Sequence, residues 1–368
     1  METTTTDIPR DTRTSDGSVD LKTMGPADLE AFAEAMGQPR YRGRQLFNWI
    51  YGKGVTSFAE MTSLPKAWRA ELEDTATLSR IETKQLQQSA DRTLKGLFTL
   101  PSGRDIEAVL IPDIDARGDA RRLTVCVSSE VGCAMGCHFC ATGLMGFKEN
   151  LAAGHIFDQV WIMNELAEEH FGRGISNIVY MGMGEPLLNY DNVLKSVAIV
   201  THEKSLGLSP RRITVSTVGL ARRIRDLADD QARFHLAVSL HAPTNEKRSR
   251  IMPVNTSEKT SLPALKEAIQ YYTEKTGRQV SYEYCMFKDL NDSVEDARRL
   301  AAITRWAPSK VNLIMYNPVE GIGGFERTPE NQLDRFIQTL IEEGVTVTVR
   351  RSRGQDIDAA CGQLAVKE

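Results

Sequence analysis

Three cysteines within one short stretch constrain this chain more than any other feature. They are Cys133, Cys137 and Cys140, spaced C-x3-C-x2-C. Thiolates are soft ligands, so such short spacing predicts one shared metal centre. Structural zinc sites usually take four ligands from two separated pairs, and a second pair is missing here. A [4Fe–4S] cluster normally takes one cysteine per iron. Three cysteines without a fourth therefore predict a [4Fe–4S] cluster with one open iron, which can hold a substrate or cofactor.

Two other interpretations of these cysteines stay open at this point. A zinc site could add His138 as its fourth ligand, although His138 lies directly between two of the cysteines. The thiols could also be buried apolar residues without a metal. The tight spacing and the polar surroundings favour the iron–sulfur interpretation.

Composition predicts a cytoplasmic protein that does not enter a membrane. Six cysteines in 368 residues are too few for a disulfide framework and indicate intracellular thiols. The 45 basic and 49 acidic side chains nearly balance, so the total charge does not indicate a nucleic-acid binder, and it does not exclude a local basic surface. The sequence contains neither an apolar run of about 18 residues nor the basic-then-apolar order of a secretion signal.

The sequence pattern divides the chain into four segments. Residues 1–22 are almost devoid of apolar side chains and are predicted to be a disordered tail. Residues 23–78 are predicted to form a small helical domain. Residues 79–120 alternate between apolar and polar side chains, which predicts a β-hairpin extension. Residues 121–368 are predicted to form the main domain, with a C-terminal segment that carries a cysteine.

Apolar side chains at helical spacing predict three helices in the N-terminal domain, over 28–36, 42–51 and 61–72. Basic side chains crowd the same region. Two functions remain open for this domain, a basic platform for nucleic acid or a helical cap on the main domain, because charge runs usually only solvate a surface. The basic side chains are Arg40, Arg42, Arg44 and Lys53.

Strands and helices alternate through the main domain. This alternation predicts an α/β fold with a parallel sheet and helices outside it, either an open doubly wound sheet or a complete or partial barrel. The predicted strands cover 122–128, 177–181, 212–216, 234–240, 279–286, 310–316 and 346–350.

Polar and glycine residues cluster just after several of these strands. Ligands of parallel sheets bind at the carboxyl edge, so we expect these stretches to converge on one pocket. Taken singly, the glycine segment 182–187 could be a plain turn, and Ser239 and His241 could be ordinary residues at the edge of the core. Together with the cysteine loop, the predicted pocket residues are Gly184, Glu185, Ser216, Ser239, Leu240, His241 and Asn317.

The remaining thiols differ in their surroundings. Cys285 lies inside an apolar strand and is predicted to pack in the core, whereas Cys126 ends the first strand of the main domain. Cys361 lies in a glycine-flanked loop that follows Arg350, Arg351 and Arg353. Cationic neighbours favour the thiolate, so a chemical function is predicted for Cys361.

A carboxylate interrupts the apolar strand 106–111 at Glu107. The residues alone favour an exposed strand edge for Glu107. A chemical function is the alternative.

The cysteine motif, with Phe139 before its third cysteine, resembles the radical S-adenosylmethionine (SAM) superfamily. From about residue 41 to 364, the chain is similar to the RlmN family of radical SAM RNA methyltransferases. The resemblance is carried by the cysteine loop, by Cys126 and the residues after it, and by the segments 41–50, 61–65, 106–109, 182–189, 238–243, 316–318 and 354–364.

The resemblance implies a radical SAM partial (β/α) barrel with a small all-helical N-terminal domain. It implies methylation of carbon-2 of one adenosine in 23S rRNA and of the adenosine 3′ of the anticodon in some tRNAs. The implied cofactors are a [4Fe–4S] cluster and two SAM molecules per turnover. A one-electron donor such as a flavodoxin-type protein and a monomeric state are also expected.

The resemblance further implies a role for each site residue. Cys361 takes a methyl group from one SAM, and the 5′-deoxyadenosyl radical from a second SAM removes hydrogen from that S-methyl group. The resulting carbon radical adds to adenine, Glu107 or Cys126 removes the carbon-2 proton, and Cys126 attacks Cys361 to release the product and leave a disulfide. The second SAM is held on the open iron of the Cys133, Cys137 and Cys140 cluster by Gly184, Glu185, Ser216, Ser239, Leu240, His241 and Asn317.

Three competing functions remain open. A Cfr-like enzyme would methylate carbon-8 of the same rRNA adenosine with the same cluster and thiols. A non-catalytic iron–sulfur electron carrier or RNA-binding sensor would not need Cys126 or Cys361. A zinc-dependent RNA-binding protein would lack the iron–sulfur chemistry entirely.

Overall fold

The structure of the chain is a computed structural model that describes residues 17–256 and 260–366. Most of the predicted disordered tail, residues 1–16, lies outside the described residues. The remainder of that tail, residues 17–22, is ordered, so the prediction is wrong there. Lys22 is buried, and its Nζ lies 2.5 Å from Asp158 Oδ1. The sequence pattern missed this because the partner that stabilises the buried charge is 136 positions away.

The N-terminal region is mainly helical. Its short strands β1 (Val19–Asp20) and β2 (Ala76–Thr77) pair in parallel. The predicted third helix begins later than expected because Pro65 caps it and cannot extend it backwards. In chain order, the other elements are a 3-10 helix (Leu21–Thr23), α1 (Pro26–Ala35), α2 (Tyr41–Phe47), a π-helical turn (Asn48–Gly52), a second 3-10 helix (Phe58–Glu60) and α3 (Lys66–Thr75).

One ten-stranded sheet forms the body of the molecule. Its first strands are β3 (Glu82–Gln88), β4 (Leu94–Thr99) and β5 (Asp105–Ile114), which pair antiparallel with one another. Strand β5 then pairs antiparallel with β6 (Ala120–Val127). The hairpin predicted over 79–120 is therefore continuous with the main sheet.

Beyond β6 every pairing in the sheet is parallel. Between β6 and β9 the chain forms a small separate pair, β7 (Glu130–Val131) and β8 (Glu149–Asn150). The later strands of the main sheet are β9 (Asn177–Tyr180), β10 (Ile213–Thr217), β11 (His235–Ser239), β12 (Val280–Met286), β13 (Ser309–Met315) and β14 (Val347–Arg350). The helices are α4 (Ala141–Leu144), α5 (Ala153–Phe171), α6 (Tyr190–Thr201), α7 (Ala221–Asp229), α8 (Asn245–Ile251), α9 (Leu262–Thr276), α10 (Val294–Thr304) and α11 (Glu330–Glu342).

Burial explains why the sequence predicted these strands well. All seven residues of β12 are buried, as expected for a parallel strand covered on both faces. The sheet order β14-β13-β12-β11-β10-β9-β6-β5-β4-β3 places successive parallel strands side by side. The predicted α/β fold with a helical N-terminal region is confirmed. Among the described residues, none of the helices has the length and apolar character needed to cross a membrane.

Candidate active site

A cavity opens at the carboxyl edge of the parallel strands. Its empty space is about 1000 Å³, part of it open to solvent, which is at the upper end for small-molecule sites. Residues at or just after the ends of separate strands line this cavity together, as predicted from the sequence. These residues are Cys133, Cys137, Cys140, Gly184, Glu185, Ser216, Ser239 and His241, joined by Cys361 from the C-terminal segment.

Leu240 and Asn317 were predicted for the same cavity, but they are not among its lining residues in the described part of the chain. The Leu240 carbonyl accepts a hydrogen bond from Arg248 Nε at 3.2 Å. Asn317 is buried and its Nδ2 donates to the Cys361 carbonyl at 3.1 Å. Both residues therefore act on the cavity through neighbouring segments.

The cysteine loop is anchored at two points. His138 N–H donates to the Ile251 carbonyl at 2.9 Å, at the end of α8. Ala141 N–H donates to the Gly362 carbonyl at 2.8 Å, which joins the loop to the C-terminal segment. His138 Nδ1 lies 2.9 Å from the Arg250 carbonyl oxygen, so this ring nitrogen faces a protein acceptor.

The three cysteines line the same cavity, and their thiols suit a [4Fe–4S] cluster, which takes one thiolate per iron. Burial raises the pKa of Cys133 to about 12 and also raises the pKa values of Cys137 and Cys140. Metal binding favours the thiolate, so a bound cluster would oppose this effect of burial. Within residues 17–256 and 260–366, no group of three or more His, Cys, Asp or Glu converges on one ion position. A [4Fe–4S] cluster takes one thiolate per iron, so its ligands need no such convergence.

Gly184 and Glu185 form a tight turn over a second carboxylate, Glu130. The Glu185 N–H donates to Glu130 Oε2 at 2.8 Å. A Cβ on Gly184, whose φ is +99°, would lie 2.6 Å from the Glu130 Cβ, so only glycine fits. Glu185 accepts backbone hydrogen bonds from Leu187 at 3.1 Å and Val218 at 2.8 Å. The turn is thus fixed before any ligand binds.

Both carboxyl groups of this turn hold their protons more tightly than usual. Burial raises the pKa of Glu185 to about 7 and that of Glu130 to about 7. Glu130 Oε1 is buried and has no hydrogen-bond partner among the described residues. Glu130 was not identified from the sequence, where it only precedes the cysteine loop.

Hydroxyl and imidazole groups line the neighbouring wall. Ser216 Oγ and Ser239 Oγ, at the carboxyl ends of the adjacent strands β10 and β11, lie 3.3 Å apart. His241 Nδ1 accepts a hydrogen bond from Cys285 N–H at 3.0 Å. Burial, followed by the Arg248 charge, lowers the pKa of His241 to about 3, so the ring is neutral. The Phe139 ring packs edge-on against His241 at 5.1 Å between centroids.

A second cavity joins the first at Cys361. Cys126 and Cys361 both line it, while Cys361 and Arg350 also line the first cavity. Arg351 and Arg353 form part of its wall, and neither makes an ion pair with a residue in the ranges that the structure describes. Burial raises the pKa of Cys126 to about 12.

Arg350 lies between the two cavities. Its Nη1 is 3.8 Å from Glu283 Oε2. The neighbouring Cys361 is the main influence that raises the pKa of Arg350, followed by burial, which lowers it, and by Glu283, which raises it. Cys285, predicted as a core residue, is buried and also lines the first cavity.

Glu107 is not on an exposed edge, so that prediction is wrong. It is only 5% exposed, because β5 lies between β4 and β6. The sequence could not reveal these neighbouring strands. Lys95 Nζ lies 3.0 Å from Glu107 Oε1, and Ala365 N–H donates to Glu107 Oε2 at 2.9 Å.

Arg248 was also missed from the sequence. Its fully buried guanidinium donates to the carbonyls of Leu240, Ser239, Val218 and Thr260 and to the Asn255 side chain. All five N–H groups are thereby used on backbone and amide acceptors. Its burial could not be predicted because Arg248 lies in a helix whose charged sequence is typical of a solvent-exposed surface. Arg248 fixes the strand ends that line the first cavity.

A three-cysteine loop and a ligand cavity at the carboxyl edge of a parallel sheet define a radical SAM enzyme. The family model described as the radical SAM superfamily matches residues 127–301. The model described as the ribosomal RNA large subunit methyltransferase N-terminal domain matches residues 19–78.

Relatives extend the match over nearly the whole chain. A protein of Salinibacter ruber described as a dual-specificity RNA methyltransferase RlmN is 72% identical, covering 96% of this chain and 95% of its own. A protein of Cytophaga hutchinsonii with the same description is 42% identical, covering 100% and 96%. The crystal structure of a radical SAM methyltransferase from Sphaerobacter thermophilus is 42% identical, with a TM-score of 0.84 over 94% of this chain and 98% of that one. The chain belongs to the RlmN family of radical SAM RNA methyltransferases.

Proposed function

We propose that this enzyme methylates carbon-2 of one adenosine in 23S rRNA and of the adenosine 3′ of the anticodon in some tRNAs. The observation that carries the proposal is the position of the two extra thiols. Cys361 lines both the cluster cavity and the second cavity, and Cys126 lines the second. A methyl carrier must face the SAM site and the RNA base, and a thiol that lines both cavities suits this role.

The chemistry of adenine explains why a thiol carrier is needed. Carbon-2 of adenine is electron-poor and is no nucleophile, so direct transfer from SAM cannot methylate it. Cys361 would accept the methyl group of one SAM through its sulfur. A cluster held by Cys133, Cys137 and Cys140 would supply the electron that cleaves a second SAM to a 5′-deoxyadenosyl radical. That radical would take a hydrogen atom from the S-methyl group of Cys361, giving 5′-deoxyadenosine, and the remaining carbon radical would add to carbon-2 of the base in the adjoining cavity.

Residues around the first cavity would position SAM. The Gly184–Glu185 turn, the Ser216 and Ser239 hydroxyls and neutral His241 offer polar groups beside the cysteines. Leu240 and Asn317 support this wall and the Cys361 segment from behind. The second SAM per turnover belongs to this proposal.

Product release requires a base and a second thiol. Glu107 and Cys126 are the candidates that accept the carbon-2 proton. The adduct would also lose one electron, which the cluster can take back. Cys126 would then attack the Cys361 sulfur, which forms a disulfide and breaks the bond from sulfur to the carbon on the RNA, and that carbon takes a proton to become the methyl group. All six cysteines are free thiols in the structure, so this disulfide is proposed only as a transient product of turnover. An external reductant restores both thiols.

RNA would bind over the second cavity. Arg351 and Arg353, which make no ion pair within the described part of the chain, stand at its wall and suit the phosphates that flank a target base. The N-terminal region carries a second basic groove beside α6, where Lys53 Nζ lies 3.5 Å from the centre of the Trp49 ring. A target adenine must be turned out of its stack to reach Cys361. The proposal includes a monomer in the cytoplasm and a flavodoxin-type electron donor.

The test is product analysis with anaerobically reconstituted enzyme. Wild type and Cys361→Ala are incubated with SAM, a reductant and an unmodified rRNA or tRNA fragment, and the nucleosides are identified by mass spectrometry. The proposal expects 2-methyladenosine and 5′-deoxyadenosine from wild type, and no methylated product from the variant. Formation of 8-methyladenosine, as in a Cfr-like enzyme, would overturn the regiochemistry. Absence of either product with an intact cluster would overturn the substrate assignment.

A further inference from the structure

We propose that Lys95 is a positioning residue that keeps Glu107 ionised and oriented for proton removal. This inference rests on the proposed function, in which Glu107 is a candidate base. Lys95 lies on β4 and is only 7% exposed, an unusual place for a lysine. Its Nζ lies 3.0 Å from Glu107 Oε1. Desolvation of the two charges offsets their attraction, so stability alone does not explain a buried ion pair of this kind.

Strand register places this pair beside the reactive thiols. Lys95 is directly opposite Val109 in the β4–β5 pairing, and Val109 is opposite Cys126 in the β5–β6 pairing. Directly opposed residues point to the same face, and so does Glu107, two positions from Val109. Lys95, Glu107 and Cys126 therefore share one face of the sheet, and Cys126 lines the cavity that contains Cys361.

The second oxygen of Glu107 is also fixed. Ala365 N–H, four residues after Cys361, donates to Oε2 at 2.9 Å. The carboxylate thus joins β4 to the segment that carries the methyl-accepting thiol. Lys95 thus holds one carboxylate oxygen of Glu107, and the Ala365 amide holds the other.

The groups around Glu107 shift the pKa of its carboxyl group in opposite directions. Burial raises the pKa of Glu107, and the Asp358 charge adds to the increase. Lys95 is the main opposing influence, followed by the Ala365 amide. The neighbouring group on β6 is Cys126, and Ser128 Oγ donates to the Glu107 backbone carbonyl. A base must be ionised before it can accept a proton, so loss of Lys95 should raise the pKa of Glu107 further and reduce its ionised fraction.

The test follows the covalent RNA–enzyme adduct in single-turnover reactions from mildly acidic to alkaline pH. Lys95→Met should slow adduct decay roughly tenfold or more at neutral pH, because a nearby opposite charge lowers a carboxyl pKa by about 1–3. The decay should recover as pH rises, since alkali ionises Glu107 without help. Lys95→Arg should retain the wild-type pH profile. Cluster content and thermal unfolding establish that each variant is folded, and Lys95→Gln replaces the methionine variant if that one does not fold.

Lys84→Met is the matched control. Lys84 lies on the adjacent strand β3 and pairs with Asp105 at 2.6 Å, but its side chain is 57% exposed. Removing it should leave the pH profile of adduct decay unchanged. A Lys95→Met profile that runs parallel to wild type at every pH would overturn the inference, because a merely structural lysine lowers the rate without moving the profile.

Glu107→Gln separates this inference from the proposed function. If Glu107→Gln resolves the adduct as fast as wild type, Glu107 is not the base, and the inference fails with that assignment. If Glu107→Gln blocks decay while Lys95→Met keeps the wild-type profile, only the role of Lys95 fails. Blocked decay together with alkaline recovery of Lys95→Met supports both.

Discussion

The side-chain amide of Asn317 donates a hydrogen bond to the backbone carbonyl of Cys361 at 3.1 Å. The Asn317 oxygen accepts from Gln355 Nε2 at 2.6 Å. One buried side chain after β13 thus holds the C-terminal segment at two points. The position of the exposed thiol depends on this side chain because Cys361 itself lies outside any helix or strand.

Asn317→Ala should loosen the C-terminal segment. Losing a buried hydrogen-bond partner costs about 1–3 kcal/mol, so we expect roughly tenfold slower methyl transfer to Cys361. Incorporation of labelled methyl from SAM into the protein measures this step, and amide exchange over 354–366 reports the loosening. Gln338→Ala is the control, since Gln338 is exposed on α11 and bonds only Glu342. Unchanged exchange in Asn317→Ala would contradict the anchoring role.

Gly184→Ala should weaken SAM binding. The new Cβ would stand 2.6 Å from the Glu130 Cβ, so the turn that carries Glu185 must move. Gly207→Ala controls for backbone strain, since Gly207 also has a positive φ but meets nothing within 4 Å. Calorimetric titration of the anaerobic reconstituted proteins with SAM should give at least roughly tenfold weaker binding for Gly184→Ala only. Equal affinities in both variants would show that the close approach is unimportant.

Glu130→Gln should stabilise the protein at alkaline pH. Burial raises the pKa of Glu130 in the folded chain to about 7, above its value in the unfolded chain. As pH rises between these values, the unfolded chain ionises first, so the folded state loses stability. Glutamine keeps an acceptor for the Glu185 amide and removes that loss, worth up to about 3 kcal/mol. Denaturant unfolding at pH on either side of this window measures the difference, which should vanish in acid, grow between the two pKa values and stay constant at alkaline pH.

Arg351→Gln and Arg353→Gln should weaken RNA binding uniformly across sequences. Each phosphate contact that is lost should lower the dependence of binding on salt concentration by about one unit of logarithmic slope. Fluorescence anisotropy with a labelled RNA fragment over a salt series provides the measurement. Arg117→Gln, in the exposed turn between β5 and β6, is the control. An unchanged salt dependence of RNA binding in both variants would show that RNA phosphates do not contact the second cavity.

The sequence was most informative for elements whose burial follows a simple pattern along the chain. The parallel strands were predicted closely because strands such as β12 are buried along their whole length. The cavity followed from the same pattern, because parallel strands end at one edge. Glu185 and His241 could therefore be assigned to one pocket from widely separated segments.

Side chains that depend on distant partners could not be predicted. Glu107 seemed suited to a strand edge because nothing local indicates that β4 and β6 flank it. Lys22 and Arg248 looked like solvated charges, and the groups that stabilise them come from other elements. Periodicity reports which side of an element is buried, but it carries no information about the partner of a buried charge.

The contacts of the C-terminal segment also set the order in which the molecule can assemble. Ser89 bonds Asp356 across 267 positions, and Thr142 bonds Leu364 across 222. Contacts between residues so far apart form late, because the intervening chain must first be ordered. The segment can dock only on a finished sheet and cysteine loop. A chain that stalls earlier in folding therefore holds the cluster ligands without the thiol that would receive the methyl group.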